Sequence, residues 1–300
     1  MNGIVKADER AKIPRHMNIA LLGPSGVGKT TQATTLPPKK TLFIDLEAGD
    51  LALGDWKGDT FDVRSFAAKV GTHPWELARA LAVYIGGPDP ADLNGNYSQA
   101  IYDGICGVLG DPSELDKYEF IFIDSITVAS RWAFAWSQLQ PDAFSEKTGK
   151  PDKRGAYGVL GQELVRWLTH LQHAKKSIIV SGILNRAEDE LKRVTYSPQI
   201  EGSKAGAELP GIFDLIVTME YLRDNRGNPL LDAESKKIRA FFPTDNNPQG
   251  FPAKDRSSTL EMTEPPDLAA LITKVRAGKR IVSTTTAIET PADEQPATLS

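Results

Sequence analysis

Three hundred residues, 40% hydrophobic and 25% charged, have the balance of an ordinary globular chain, with room for one large α/β domain or two small ones. Thirty-five Lys and Arg against 39 Asp and Glu leave a formal net charge of -4, which excludes a chain-wide basic field and confines any nucleic-acid contact to a local patch. The single cysteine, Cys106, cannot close an intramolecular disulfide, and four scattered histidines lack zinc-site spacing, so a reducing, cytosolic location is expected.

At the N-terminus, "MNGIVKADERAK" is charged where a signal peptide needs an apolar centre, and the longest apolar runs, such as "IIVSGIL", fall far short of a bilayer span. The chain is therefore expected to be neither secreted nor membrane-embedded. The first apolar run, "NIALL" (18–22), is followed by "TLFIDL" (41–46), "FIFID" (120–124), "SIIVSGIL" (177–184) and "DLIVTME" (214–220). Short, nearly continuous and rich in β-branched residues, these runs read as buried parallel strands, and the segments between them as helices of a wound α/β sheet. Helices are predicted over 75–85 and 158–174, the second with Val159, Leu160, Leu164, Trp167, Leu168 and Leu171 along one stripe. Polar loops are predicted at 86–96 and 145–155, and the segment 283–300, without aromatic or basic residues, reads as a disordered acidic tail after one compact domain over 1–282.

Directly after the first strand, "GPSGVGKTT" runs through Gly23, Pro24, Ser25, Gly26, Val27, Gly28, Lys29, Thr30 and Thr31, matching GxxxxGK[ST]. Glycines there let backbone N–H groups turn inward as an anion nest at a helix start, the lysine reaches the β- and γ-phosphates, and the Thr30 hydroxyl ligates magnesium. Average residue frequencies make a chance match in a chain this long a roughly 1% event. The expected ligands are ATP and Mg²⁺.

A phosphate loop needs an aspartate at the end of a neighbouring apolar strand to hold the metal through water, and "FIFIDS" supplies Asp124. Ser125 beside it either joins the metal shell or caps a turn. "TLFIDLEAG" places Glu47 just beyond another strand end on the carboxyl edge, where a carboxylate can orient and deprotonate the attacking water. Asp45 competes, but strand alternation points the two to opposite faces and Glu47 lies nearer the loop.

With these residues in place the chain resembles the RecA-like recombinase core, in which the glutamate of a "FID-x-E" segment activates water; by resemblance that role falls on Glu47. More narrowly it resembles phage-encoded AAA-type nucleotide-binding proteins grouped with the Sak-type single-strand annealing ATPases, through "GSKAGAELPGIFDLIV" (202–217), "FPAKDRSS" (251–258) and "EPPDLAALITKV" (264–275). The resemblance spans about residues 15 to 278. It implies a RecA-like P-loop NTPase fold, magnesium-dependent ATP hydrolysis stimulated by single-stranded DNA, assembly into a ring or filament with nucleotide at the subunit interface, and a possible role beside a single-strand binding protein. It also implies that Asn185, at a strand end, senses the γ-phosphate.

On that resemblance, 185–206 becomes the DNA-facing region, with Arg186, Lys192, Arg193 and Lys204 as phosphate contacts, although its mixed charges suit a solvated hairpin equally. Loop 145–155 offers Lys147, Lys150, Lys153 and Arg154 against two carboxylates, as a second DNA contact or a mobile surface loop. Lys254 and Arg256, two residues apart, are candidates for touching a neighbouring subunit's nucleotide, or for ordinary surface ion pairs. Trp132, Phe134 and Trp136 are assigned to core or interface. The competing readings are a P-loop small-molecule kinase, for which no arginine-rich lid is visible, and a nucleotide-switched replication or packaging accessory module.

Overall fold

The computed structural model describes residues 4–13, 15–188, 190, 192 and 194–278; the tail expected at 283–300 lies outside them, as does Arg193. Among the described residues nine strands form in chain order: β1 Asn18–Gly23, β2 Thr41–Asp45, β3 Asp59–Asp62, β4 Phe120–Asp124, β5 Ser177–Glu188, β6 Val194–Pro198, β7 Leu215–Tyr221, β8 Arg239–Phe242 and β9 Lys254–Asp255. The helices are α1 Ala7–Lys12, α2 Val63–Val70, α3 Pro74–Gly86, α4 Gln99–Leu109, α5 Ile126–Ser137, α6 Lys153–Gln172, α7 Ser203–Ile212 and α8 Leu268–Ala277. No described helix is long and apolar enough to cross a membrane.

The five apolar runs become β1, β2, β4, β5 and β7, and all lie in one sheet of order β3-β2-β4-β5-β1-β7-β8, with β6 paired to β5 and β9 to β7. Pairing is parallel from β3 through β7 and antiparallel for β6, β8 and β9. This is the mainly parallel central sheet flanked by helices that the sequence predicts. The strands read as continuous apolar runs because both faces are covered. Leu42, Ile44, Ile121, Ile123, Ile178 and Val180 face one layer, in which α3 and α6 meet through Trp75 and Trp167. Their rings sit edge to face at 5.6 Å, and the Trp167 indole donates to the Ala78 carbonyl at 3.1 Å. Leu21, Phe43, Phe122, Ile179 and Val217 face the other layer, closed by α8.

Three expectations change. The segment after the phosphate loop is a six-residue 3₁₀ helix, Thr30–Thr35, because the β-branched run "TTQATT" meets Leu36-Pro37-Pro38, and a residue before proline is driven out of the helical region. Loop 145–155 is shorter than predicted: Asp152 caps α6 by accepting from the Arg154 N–H at 2.9 Å, so Lys153 and Arg154 lie in the helix's first turn. Finally, β4 does not neighbour β1; β5 lies between them. Asp124 therefore approaches the phosphate loop from two strands away.

Candidate active site

The phosphate loop leaves the sheet at Gly23, where a β-carbon would sit 2.4 Å from the Met219 carbonyl of β7, so only glycine lets the two strands close. Val27, fully buried, pins the turn from beneath. Gly26 and Gly28 take φ of 75° and 102°, in the left-handed region that turns successive amides toward one side. Lys29 is only 8% exposed, and its Nζ donates to the carbonyls of Gly23 at 3.0 Å and Pro24 at 2.8 Å, which holds the ammonium across the mouth of the loop. Burial lowers its pKa, while the carboxylates of Asp124 and Glu47 pull it back up.

Register brings the acidic groups to the same edge. Asp45 of β2 lies beside Asp124 of β4, and the next residues in step on β4 and β5 are Asp124 and Ser181. The Thr30 hydroxyl donates to Asp124 Oδ2 at 2.7 Å, and the Ser181 hydroxyl donates to Oδ1. Burial raises the Asp124 pKa; these two hydrogen bonds and Lys29 oppose the shift, while the Glu47 charge adds to it. Where the next loop crosses this pair, a β-carbon on Gly49 would sit 3.2 Å from Asp124 Oδ2 and 3.4 Å from Thr30 Cγ2, so a side chain there would crowd both groups.

The choice between Asp45 and Glu47 has a geometric basis. Asp45 is buried and spent on its own turn, accepting from the Glu47 N–H at 2.9 Å and from the Gly49 N–H at 3.0 and 3.1 Å. Glu47 is exposed, and its Oε1 accepts from the Ser125 hydroxyl. The Leu46 N–H donates to the Asp124 carbonyl at 2.8 Å, tying the two strand ends together. Ser125 occupies the N-cap of α5 without a side-chain cap bond; its hydroxyl serves the glutamate instead.

These donors suit the expected ligands. A hydroxyl and a carboxylate are hard oxygen ligands of the kind magnesium takes, and one or two such groups suffice when substrate phosphates and water complete the shell. The open space over Gly26, where a β-carbon would meet nothing within 4 Å, leaves the anion cradle accessible. Thr30 and Asp124 would hold magnesium, and Lys29 with the backbone N–H groups of residues 25–31 would hold the phosphates.

Other expected residues are spread more widely. Asn185 sits on β5 two residues beyond Ile183, the register partner of Gly23, and pairs with Ser197 of β6. Arg186 faces Tyr196 in the same hairpin and is bonded to Glu188 at 3.3 Å, so the solvated-hairpin alternative describes the local structure. Lys192 is exposed there, whereas Lys204 lies on α7, its Cδ 3.0 Å from a β-carbon position on Gly161 of α6. Lys147 and Lys150 are exposed in the turn before α6. Lys254 and Arg256 are not brought to the phosphate loop: β9 pairs with Leu215 and Ile216 at the start of β7, the opposite edge of the sheet. Lys254 donates to the Pro210 carbonyl, and Arg256 binds Asp214 at 2.9 Å and the Gly211 carbonyl at 3.1 Å. Trp132, Phe134 and Trp136 pack in the helical layer, Phe134 stacked on Tyr157 at 4.6 Å.

The AAA domain family model matches residues 15–257. The chain belongs to the AAA domain family. That match takes in the phosphate loop, Glu47, Asp124 and both halves of the β5–β6 hairpin, and this AAA domain is a P-loop NTPase domain. No curated protein sequence matches the chain. Among solved structures, a KaiC-like protein from the archaeon Pyrococcus horikoshii OT3 is similar at 15% identity, over 77% of this chain and 79% of that one, with a TM-score of 0.33, too low to carry an argument.

Ser181 was not singled out by sequence, although a lone serine inside "IIVSGIL" is a signal: a polar side chain on a buried strand needs a partner. Arg239, whose guanidinium lies against Gly28, had no sequence signal.

Proposed function

We propose that this AAA domain is a magnesium-dependent ATPase that couples hydrolysis to single-stranded DNA, in annealing or strand exchange. The observation that carries the catalytic half is the pairing of Thr30 with Asp124 and of Ser125 with Glu47 on one sheet edge beside Lys29. Lys29 and the loop amides bind the β- and γ-phosphates. Thr30 and Asp124 would hold magnesium, which would supply Lewis-acid polarisation of the terminal phosphoryl group. Glu47, oriented by Ser125, takes a proton from the attacking water. The water oxygen bonds to the γ-phosphorus, the bond from that phosphorus to the β–γ bridging oxygen breaks, and ADP leaves with the bonding pair beside inorganic phosphate.

Continuity of β5 supports the DNA half. This strand holds Asp124 through Ser181, passes Asn185 and becomes the exposed hairpin bearing Arg186, so a change at the metal site has a direct mechanical route to that hairpin. Because α6 runs back to the start of β5, its N-terminal end, with Lys147, Lys150, Lys153 and Arg154, lies on the same edge. These residues and Arg186, Lys192, Arg193 and Lys204 are the proposed backbone contacts. Phosphate release from ATP, measured with and without single-stranded DNA, tests the coupling. A several-fold acceleration by DNA is expected. Turnover indifferent to DNA would remove the DNA half, and turnover requiring a small-molecule acceptor would make the chain a kinase.

A further inference from the structure

We infer that Arg239 binds the β-phosphate of the nucleotide held in its own chain's loop and so stabilises the departing diphosphate; this rests on the phosphate site proposed above. A β-carbon built on Gly28 would lie 2.9 Å from Arg239 Nη1 and 3.3 Å from its Cζ, which places the guanidinium directly over the residue before Lys29. Arg239 opens β8 opposite Tyr221, the last residue of β7. Its guanidinium carbon lies 5.9 Å from the centre of the Tyr221 ring, whose hydroxyl points at the Gly26 carbonyl at 3.5 Å. The ring thus forms a platform between the arginine and the loop. Among the described residues Arg239 makes no ion pair and no side-chain hydrogen bond, whereas Arg79, Arg166 and Arg276 are all paired with carboxylates. An exposed arginine with five unspent donors beside a phosphate loop is matched to phosphate oxygens.

The loop itself decides which phosphate. Its backbone N–H groups cradle the α- and β-phosphates, while the lysine that follows Gly28 reaches toward the γ-phosphate. A guanidinium set against Gly28 is therefore set at the β-phosphate, where negative charge grows as the bond to the γ-phosphorus breaks. Glu47 and Asp124 reach the loop from the β2–β4 side of β1 and Arg239 from the β7–β8 side, so the arginine does not crowd the carboxylates.

Equilibrium titration of the full chain with a fluorescent ADP, competed by ADP and ATP, tests the contact without requiring turnover. Arg239→Ala is expected to weaken ADP and ATP alike by about tenfold, with Arg239→Lys intermediate and the melting temperature unchanged. Unchanged ADP affinity, or a loss confined to ATP, would overturn the assignment. Mixing Arg239→Ala with Glu47→Gln separates an own-chain role from one in a neighbour: no recovery of turnover is expected, and recovery would mean that the arginine serves the adjacent subunit. Should wild-type protein bind nucleotide without hydrolysing it, the affinity pattern still judges Arg239 while the ATPase proposal falls. A wild type that binds neither nucleotide sinks both.

Discussion

Asp124 illustrates how one residue trades stability for chemistry. It is 2% exposed and must be ionised to hold a metal. Its folded-state pKa lies above the ordinary carboxylate value because burial disfavours the charge. A raised carboxylate pKa contributes stability while the group is protonated, and that stability is lost as pH rises through the folded value. Asp124→Asn should therefore raise the melting temperature of the metal-free protein at pH 7 but not at pH 4, while abolishing magnesium-dependent turnover; thermal scans at both values check it. Lys29, Thr30 and Asp124 were legible in sequence because fixed spacing and a strand end identify them. Ser181 and Arg239 were not: one acts through a hydrogen bond between strands far apart in sequence, the other through an antiparallel edge strand with no apolar period of its own.

Among the elements, α6 is the clearest support of the sheet. Trp167 buries its ring against Trp75 and spends its indole N–H on α3, so Trp167→Ala should cost about 3–5 kcal/mol in denaturant unfolding, through lost burial and the cavity left behind. The β5–β6 hairpin carries the opposite kind of prediction. Its residues are largely exposed, so Arg186→Ala with Lys192→Ala should leave the melting temperature and basal turnover unchanged. The same pair should weaken single-stranded DNA and reduce the slope of log affinity against log salt by about one for each phosphate contact removed. The five long apolar strands were readable because burial on both faces demands uninterrupted hydrophobicity. Strands β3, β8 and β9 escaped notice because they are edges of two to four residues, specified by their neighbours more than by their own composition.

At the scale of the whole molecule, Lys254 and Arg256 raise the question of assembly. They lie at the amino edge of the sheet, whereas the phosphate loop lies at the carboxyl edge. A role on a neighbour's nucleotide therefore requires chains to stack head to tail, a heterologous contact that closes into a ring or continues as a filament. Replacing both with alanine should leave nucleotide affinity of the isolated chain intact and lower turnover only under conditions where sedimentation shows oligomers; equal turnover in assembled wild type and variant would remove the trans role. Sequence gave no access to this geometry, since which edge carries "AKDR" depends on how β9 returns to β7.

The most direct test is phosphate release from magnesium-ATP by the purified chain, alongside Glu47→Gln and Lys29→Ala. The wild type should turn over, Glu47→Gln should bind ATP yet release phosphate at least tenfold more slowly, a barrier change of about 1.4 kcal/mol, and Lys29→Ala should bind no nucleotide. Equal phosphate release by Glu47→Gln and wild type, or undiminished ATP binding by Lys29→Ala, would contradict the account.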